Sequence, residues 1–250
     1  MTDAQDPGRN RLLAALPPQL LAQWAPHLAP VLLPIGQSVY EPGATLQHVL
    51  FPTTALVSLL HVLGDGHTAE IAVVGNDGVV GVSLFMGGGS TSTRGVVQGA
   101  GWALRLPVPL LQQAFAAGGA VPRLLLLYTQ ALIAQMSQTA ACNRHHGIDQ
   151  QLCRWLLLSL DRIDGCELAM TQELIANMLG VRREGVTAAA SRLQRQGLIR
   201  YARGHIAVLD RRGLEQRACE CYAVVRDEYE RLLPRRGGPP ATPWPGGPDA

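Results

Sequence analysis

The sequence predicts an α+β protein, strands in front and helices behind, and three features of the 250-residue chain carry that reading. Between Val31 and Leu106, short β-type apolar runs are punctuated by glycine. From Pro107 onward the apolar residues recur at helical spacing. Near the carboxyl end, residues 171–199 read as two short helices around Gly180, with a small hairpin after them.

A short helix is expected from Arg9 to about Ala25, interrupted by Pro17-Pro18. The β-type runs are Val31–Ile35, Ser38–Tyr40, Val49–Phe51, Leu56–Val62, Ala69–Val74, Val96–Gln98 and Trp102–Leu106. Short strands at this spacing indicate a compact antiparallel sandwich or barrel. Gly64-Asp65-Gly66 reads as a hairpin tip, because Asp-Gly suits turns with positive φ. From Pro107 to Ile148 the texture is helical. Leu125, Tyr128, Leu132, Gln135, Thr139 and Cys142 form an a/d stripe, and Leu124, Leu127, Ala131 and Ala134 offer a second apolar surface. A helix with two such surfaces can pack on its own domain and on a second copy. Asp149 to Leu160 reads as the next helix, with Cys153, Trp155 and Leu156 inward and a turn near Asp164-Gly165. Residues 210–233 continue as an amphipathic helical stretch, and the aperiodic tail 235–250 is expected to be disordered.

Thr171 is a candidate N-cap, since its hydroxyl can accept an otherwise unpaired amide of the first helix turn. Leu174, Ile175, Met178 and Leu179 form the apolar side of one helix, and Val186, Ala190 and Leu193 that of the next. Gly180 sits where the chain turns, and glycine takes positive φ without steric cost. This layout is a helix-turn-helix, whose second helix enters the DNA major groove. Six arginines (182, 183, 192, 195, 200, 203) stand against one acid, Glu184, between residues 182 and 203, so a chain of net charge +2 carries a local basic patch. Such a patch pairs with phosphates. Ile199, Tyr201, Ile206 and Val208 alternate around Arg203-Gly204, as a β-hairpin would.

The segment resembles the winged helix-turn-helix of Crp/Fnr-type bacterial transcription regulators, in its order of threonine, apolar helix, glycine, Arg-Glu, helix and Gly-Leu-Ile. Arg183 and Glu184 match the pair that reads base edges in that family. The chemistry agrees, since arginine can bond guanine O6 and N7 and glutamate can accept from cytosine N4. Ala188 departs from the pattern where many members carry another arginine; Thr187, Ser191 and Arg182 are the neighbouring candidates. The hairpin corresponds to the wing in that family, where Arg200, Arg203 and His205 either touch the phosphate backbone or belong to a hairpin that merely caps the helices. The resemblance divides the chain into a cyclic-nucleotide-binding-like, jelly-roll-like β-roll over 9–120, a dimerisation and linker helix over 121–148, and a winged helix-turn-helix domain over 149–234. It implies a dimer seam on the long helix, for which Leu125, Tyr128, Leu132 and Thr139 are the candidates.

Functional cyclic-nucleotide pockets in that family hold the ribose with a glycine–glutamate stretch and the phosphate with a following arginine. The matching residues here are Gly78-Val79-Val80-Gly81, with valine in place of the carboxylate, and Arg94 followed by Gly95. Gly78, Gly81 and Arg94 are therefore the effector-pocket candidates. A valine cannot accept the ribose hydroxyl bond, which leaves a polar group unpaired at about 1–3 kcal/mol. Cyclic AMP is not expected as a cofactor, and any other effector is unidentified.

No apolar run approaches the ~20 residues of a membrane span. Nor do the first twenty residues form a secretory signal, so a cytoplasmic protein is expected. All 21 basic residues are arginine. Cys142, Cys153, Cys166, Cys219 and Cys221 are an odd set without the usual two-residue metal spacing, and they read as buried, inert thiols. His61, Asp65, His67 and Glu70 have metal-capable side chains near the hairpin tip, but exposed loop polarity explains them equally simply and no metal set is assigned. There is no nucleophile elbow, P-loop or zinc-hydrolase spacing, so no catalytic residue is assigned and an enzyme is not expected. The expected partners are double-stranded DNA, a second copy of the chain and RNA polymerase. The alternative is a ligand-binding signalling module whose helix-turn-helix makes protein contacts.

Overall fold

A computed structural model describes residues 3–233. Helices α1 (Arg11–Ala15) and α2 (Pro18–Trp24) precede seven strands: β1 (Ala29–Leu33), β2 (Ser38–Tyr40), β3 (His48–Pro52), β4 (Leu56–Val62), β5 (Thr68–Val74), β6 (Thr93–Gly99) and β7 (Gly101–Pro107). They pair antiparallel into two sheets, β1-β7-β3 and β2-β6-β4-β5. Val49, Phe51, Leu56, Leu104 and Leu106 fill the core of this roll. Every expected strand is present: β2 and β4 with the expected bounds, β1 shifted two residues toward the amino end, β3, β5 and β7 one or two residues longer, and β6 four residues longer. Asn10 caps α1 by accepting from the Leu12 and Leu13 amides, and its own amide group donates to the carbonyls of Pro52 and Gly78. One fully buried side chain thus pins the first helix to the roll.

Strand β4 is buried without alternation from Leu56 through Leu60. Its sheet is covered on the second face as well, by the helices that follow, as in sheets packed on both sides. Those helices are α3 (Val108–Ala116), α4 (Ala120–His145) and α5 (Ile148–Leu160). Ser58, Glu70 and Gln98 lie on the covered face, where Gln98 donates to Ser159 of α5 at 3.3 Å.

The stripe expected to meet a second copy turns inward instead. Leu125, Tyr128, Leu132 and Thr139 are all buried within the chain. Tyr128 donates to the Val79 carbonyl at 3.1 Å, and Gln135, on the same stripe, donates to that of Val73 at 3.2 Å. The most apolar face of α4 is claimed by its own roll. The face left to solvent carries Leu126 (52% exposed) and Ile133 (55%), seven residues apart, with Gln130 and Ser137 between and beyond them.

The carboxyl half contains β8 (Glu167–Ala169), α6 (Gln172–Leu179), α7 (Arg183–Arg195), β9 (Ile199–Ala202), β10 (His205–Val208), α8 (Arg211–Arg217) and α9 (Glu220–Leu232). The stretch expected as one helix from 210 is two, broken at Ala218-Cys219, and α9 packs back on α4. The two halves meet at Arg162, just past α5. Its Nε lies 3.0 Å from Asp77 Oδ2, Nη1 donates to the Leu158 carbonyl, Nη2 donates to Gln135, and Tyr229 of α9 stacks beneath the guanidinium. The expectation of a disordered tail over 235–250 lies outside the described residues.

Candidate nucleic-acid interface

The helix-turn-helix forms as its sequence requires. Thr171 Oγ accepts from the Leu174 amide at 3.2 Å, and Gly180 takes φ +64° to end α6. Ile175, Met178 and Leu179 of α6 and Val186, Ala190 and Leu193 of α7 are buried; Leu174 is half-buried. Gly185 permits close packing of α7 on α5, since an added Cβ would stand 2.6 Å from Ile148 Cδ1. That contact explains a helical glycine which otherwise costs about 1 kcal/mol.

Burying one side of α7 turns the other outward. Arg182, Arg183, Glu184, Thr187, Ala188 and Ser191 are all exposed, the pattern needed to reach base edges. Thr187 Oγ lies 2.6 Å from Gln172 Oε1, which brings the first residue of α6 to the same surface. Sequence reasoning missed Gln172, whose position beside Thr187 depends on how the two helices cross. Arg192, counted within the basic patch, is engaged in the fold: its Nε donates to Asp149 Oδ2 at 2.8 Å and a second nitrogen reaches Oδ1. This two-pronged pair fixes α7 against the start of α5, and it holds the Asp149 carboxyl below its ordinary pKa.

The wing is a three-stranded sheet, β8-β10-β9, one strand more than the hairpin alone. Sequence reasoning missed β8 because its three residues, Glu-Leu-Ala, include none of the β-branched or aromatic side chains that mark the equally short Ser38–Tyr40. At the hairpin tip Arg203 has φ +50° and Gly204 φ +79°, the combination of a type I′ turn. Arg203 is the one described non-glycine residue with positive φ, where asparagine or glycine would be less strained. The strain holds an exposed guanidinium at the tip. Exposed His205 is adjacent, while Arg200, 68% exposed, sits 3.8 Å from Glu167.

The effector candidates do not converge. Gly78 packs against the Tyr128 ring, where an added Cβ would approach the hydroxyl to 2.5 Å. Gly81 takes φ +109° against Val49 and Leu84, and Arg94 is paired with Glu41 at 2.7 Å. None of the described cavities is lined by any of the three. The hairpin-tip group also separates, with His67 and Asp65 paired in solvent at 3.1 Å and Glu70 buried, accepting from Ser58. The tip itself approaches the helix-turn-helix. A cleft of about 700 Å³ between them is lined by Asp65, His67, Asn177, Gly180 and Arg182.

Residues 150–217 match the family of Crp-like helix-turn-helix domains. No curated protein sequence matches the chain. Among solved structures, FixK2 from Bradyrhizobium japonicum is 19% identical, with a TM-score of 0.64 over 77% of this chain and 98% of that one. TTHB099, a transcriptional regulator of the CRP family from Thermus thermophilus, is 18% identical, with a TM-score of 0.63 over 75% and 96%. The c-di-GMP responsive global regulator CLP from Xanthomonas campestris is 16% identical, with a TM-score of 0.59 over 76% and 98%. Domain match and fold agree with the exposed arginine helix and its wing: the chain carries a Crp-like helix-turn-helix domain within the fold of the Crp/Fnr-family transcription regulators.

Proposed function

We propose that this protein is a sequence-specific, DNA-binding transcription regulator that acts as a homodimer in the cytoplasm. The observation that carries the reading is the outward face of α7, where Arg182, Arg183, Glu184, Thr187 and Ser191 stand free of the core on a helix braced by Asp149–Arg192. Arg183 and Glu184 read base edges; Arg182, Arg195, Arg200 and Arg203 hold the backbone and set orientation. Two copies present their recognition helices about 34 Å apart, one DNA turn, on a pseudo-palindromic site. The pairing surface is the exposed stripe of Leu126 and Ile133 on α4, which supports the dimer reading in place of the buried stripe. RNA polymerase is the expected further partner.

The front half serves as a scaffold or senses an effector that is not cyclic AMP. Supporting this, Tyr128 occupies the space beside Gly78, and Glu41 neutralises Arg94. If an effector acts, the β4–β5 tip beside Gly180 and Arg182 offers a direct route to the recognition helix.

The test is fluorescence anisotropy with duplexes selected from a random pool, repeated across salt. Four phosphate-pairing arginines in each of two protomers give log K a slope of up to about −7 against log salt. Binding that is absent, or flat with salt, would favour a helix-turn-helix devoted to protein contacts.

A further inference from the structure

We propose that Cys142, His146, Cys219 and Cys221 hold one zinc ion that clasps the end of the long helix α4 to the start of α9. Residue spacing alone conceals the group, because Cys219-Glu-Cys221 lacks the usual two-residue interval and the other two residues lie more than seventy positions earlier. Folding assembles them. Cys142 occupies the last turn of α4, and His146 is its C-cap. Cys219 is the N-cap of α9, and Cys221 lies in its first turn. The four ligand atoms all lie within 4.8 Å of one another, and the three cysteines are buried.

The spacing suits a tetrahedral ion. Zinc–sulfur bonds of ~2.3 Å and zinc–nitrogen bonds of ~2.0–2.1 Å place sulfurs ~3.8 Å apart and nitrogen ~3.5 Å from sulfur. Here Cys142 Sγ is 3.5 Å from Cys219 Sγ, and Cys221 Sγ is 3.4 Å from His146 Nδ1. The surroundings are those of a ligand set. His146 Nε2 faces Glu220 Oε1 at 3.4 Å, the carboxylate contact that orients a ligating imidazole with Nδ1 toward the ion. Gln138 Nε2 donates to Cys221 Sγ at 3.1 Å, a bond that stabilises a thiolate. Thiolate and imidazole donors in a tetrahedron select zinc over calcium or magnesium. Binding is proton-balanced: three thiols release three protons to solvent and the neutral imidazole releases none.

The ion joins the end of α4 to the start of α9, bridging the whole helix-turn-helix and wing that lie between them. It closes a span of 77 residues beside Gly147, where the chain leaves the long helix.

The test uses the full-length chain, reduced, reconstituted with zinc and desalted. Elemental analysis is expected to find one zinc per chain. Cobalt(II) in its place is expected to give the intense visible bands of a tetrahedral centre and a thiolate charge-transfer band. Cys221→Ser and His146→Ala lose both signals, whereas Cys166→Ser, which alters an exposed thiol outside the cluster, keeps them. Glu220→Gln binds zinc about 10-fold more weakly. The wild-type cobalt spectrum depends on no variant folding. An octahedral spectrum or no stoichiometric metal overturns the proposal, as does a Cys142–Cys219 disulfide that persists under reductant. Because metal content is the readout, the result stands apart from any outcome with DNA.

Discussion

Replacing Arg162 by methionine tests whether the front and back halves are locked by buried charge. The side chains of Arg162 and Asp77 are 3% and 6% exposed, with Nε and Oδ2 3.0 Å apart. Methionine keeps the apolar bulk but deletes the bonds to the Leu158 carbonyl (2.7 Å) and Gln135 (3.1 Å) and the stacking on Tyr229. Asp77 is left as a buried carboxylate facing only partial compensation, with the Gly75 amide at 3.4 Å. Breaking a buried pair from one side costs about 3–5 kcal/mol, and replacing both partners by apolar groups costs far less. Urea unfolding of wild type, Arg162→Met, Asp77→Leu and the double variant, at one protein concentration, forms a double-mutant cycle. The single Arg162→Met should lose about 3–5 kcal/mol, with a coupling energy of at least about 1 kcal/mol. A loss below about 1 kcal/mol, or a double variant equal to the sum of the singles, would refute the lock.

Three further outcomes follow from buried groups and surfaces. Burial raises the Glu70 carboxyl from 4.5 to about 7, against the smaller opposing effects of Ser58, Arg154 and other neighbours. Its stabilising contribution is therefore complete below 4.5 and lost as pH rises through 7, about 3 kcal/mol in all. Glu70→Gln should remove that slope from urea unfolding, and superimposable pH curves would contradict it. Gly78→Ala drives a Cβ into the fully buried Tyr128 ring and should cost about 1–3 kcal/mol by calorimetry, whereas an unchanged melting temperature would reopen Gly78 as a pocket residue. Ile133→Glu puts a charge on the exposed α4 stripe and should shift sedimentation from dimer to monomer; a dimer that survives would place the seam elsewhere.

Local chemistry makes much of the fold legible. Gly180 and Thr171 mark the ends of α6 because a left-handed turn and an N-cap each demand particular residues. The strands are readable from apolar runs between glycines. What stays hidden depends on which faces meet. The a/d stripe of α4 is apolar enough to require burial, but apolarity does not say against what, and the roll claims it before a second copy can. Ser58, Glu70 and Gln98 are polar strand residues that nothing in the sequence marks as buried, yet α5 covers them with Ser159 and Arg154. In the candidate site the exposed residues of α7 follow directly from helical period. Arg192 does not, since its acid, Asp149, lies 43 residues away. The cysteine–histidine group is invisible for the same reason, being assembled from two helix ends.

The most direct measurement is the affinity of Arg183→Ala for a selected duplex and for a random duplex of equal length, at one salt concentration. If α7 reads bases, the variant loses about 1–3 kcal/mol on the selected duplex, little on the random one, and its preference at one base pair relaxes. Equal losses on both duplexes would make Arg183 a phosphate contact and contradict the account of how this protein recognises DNA.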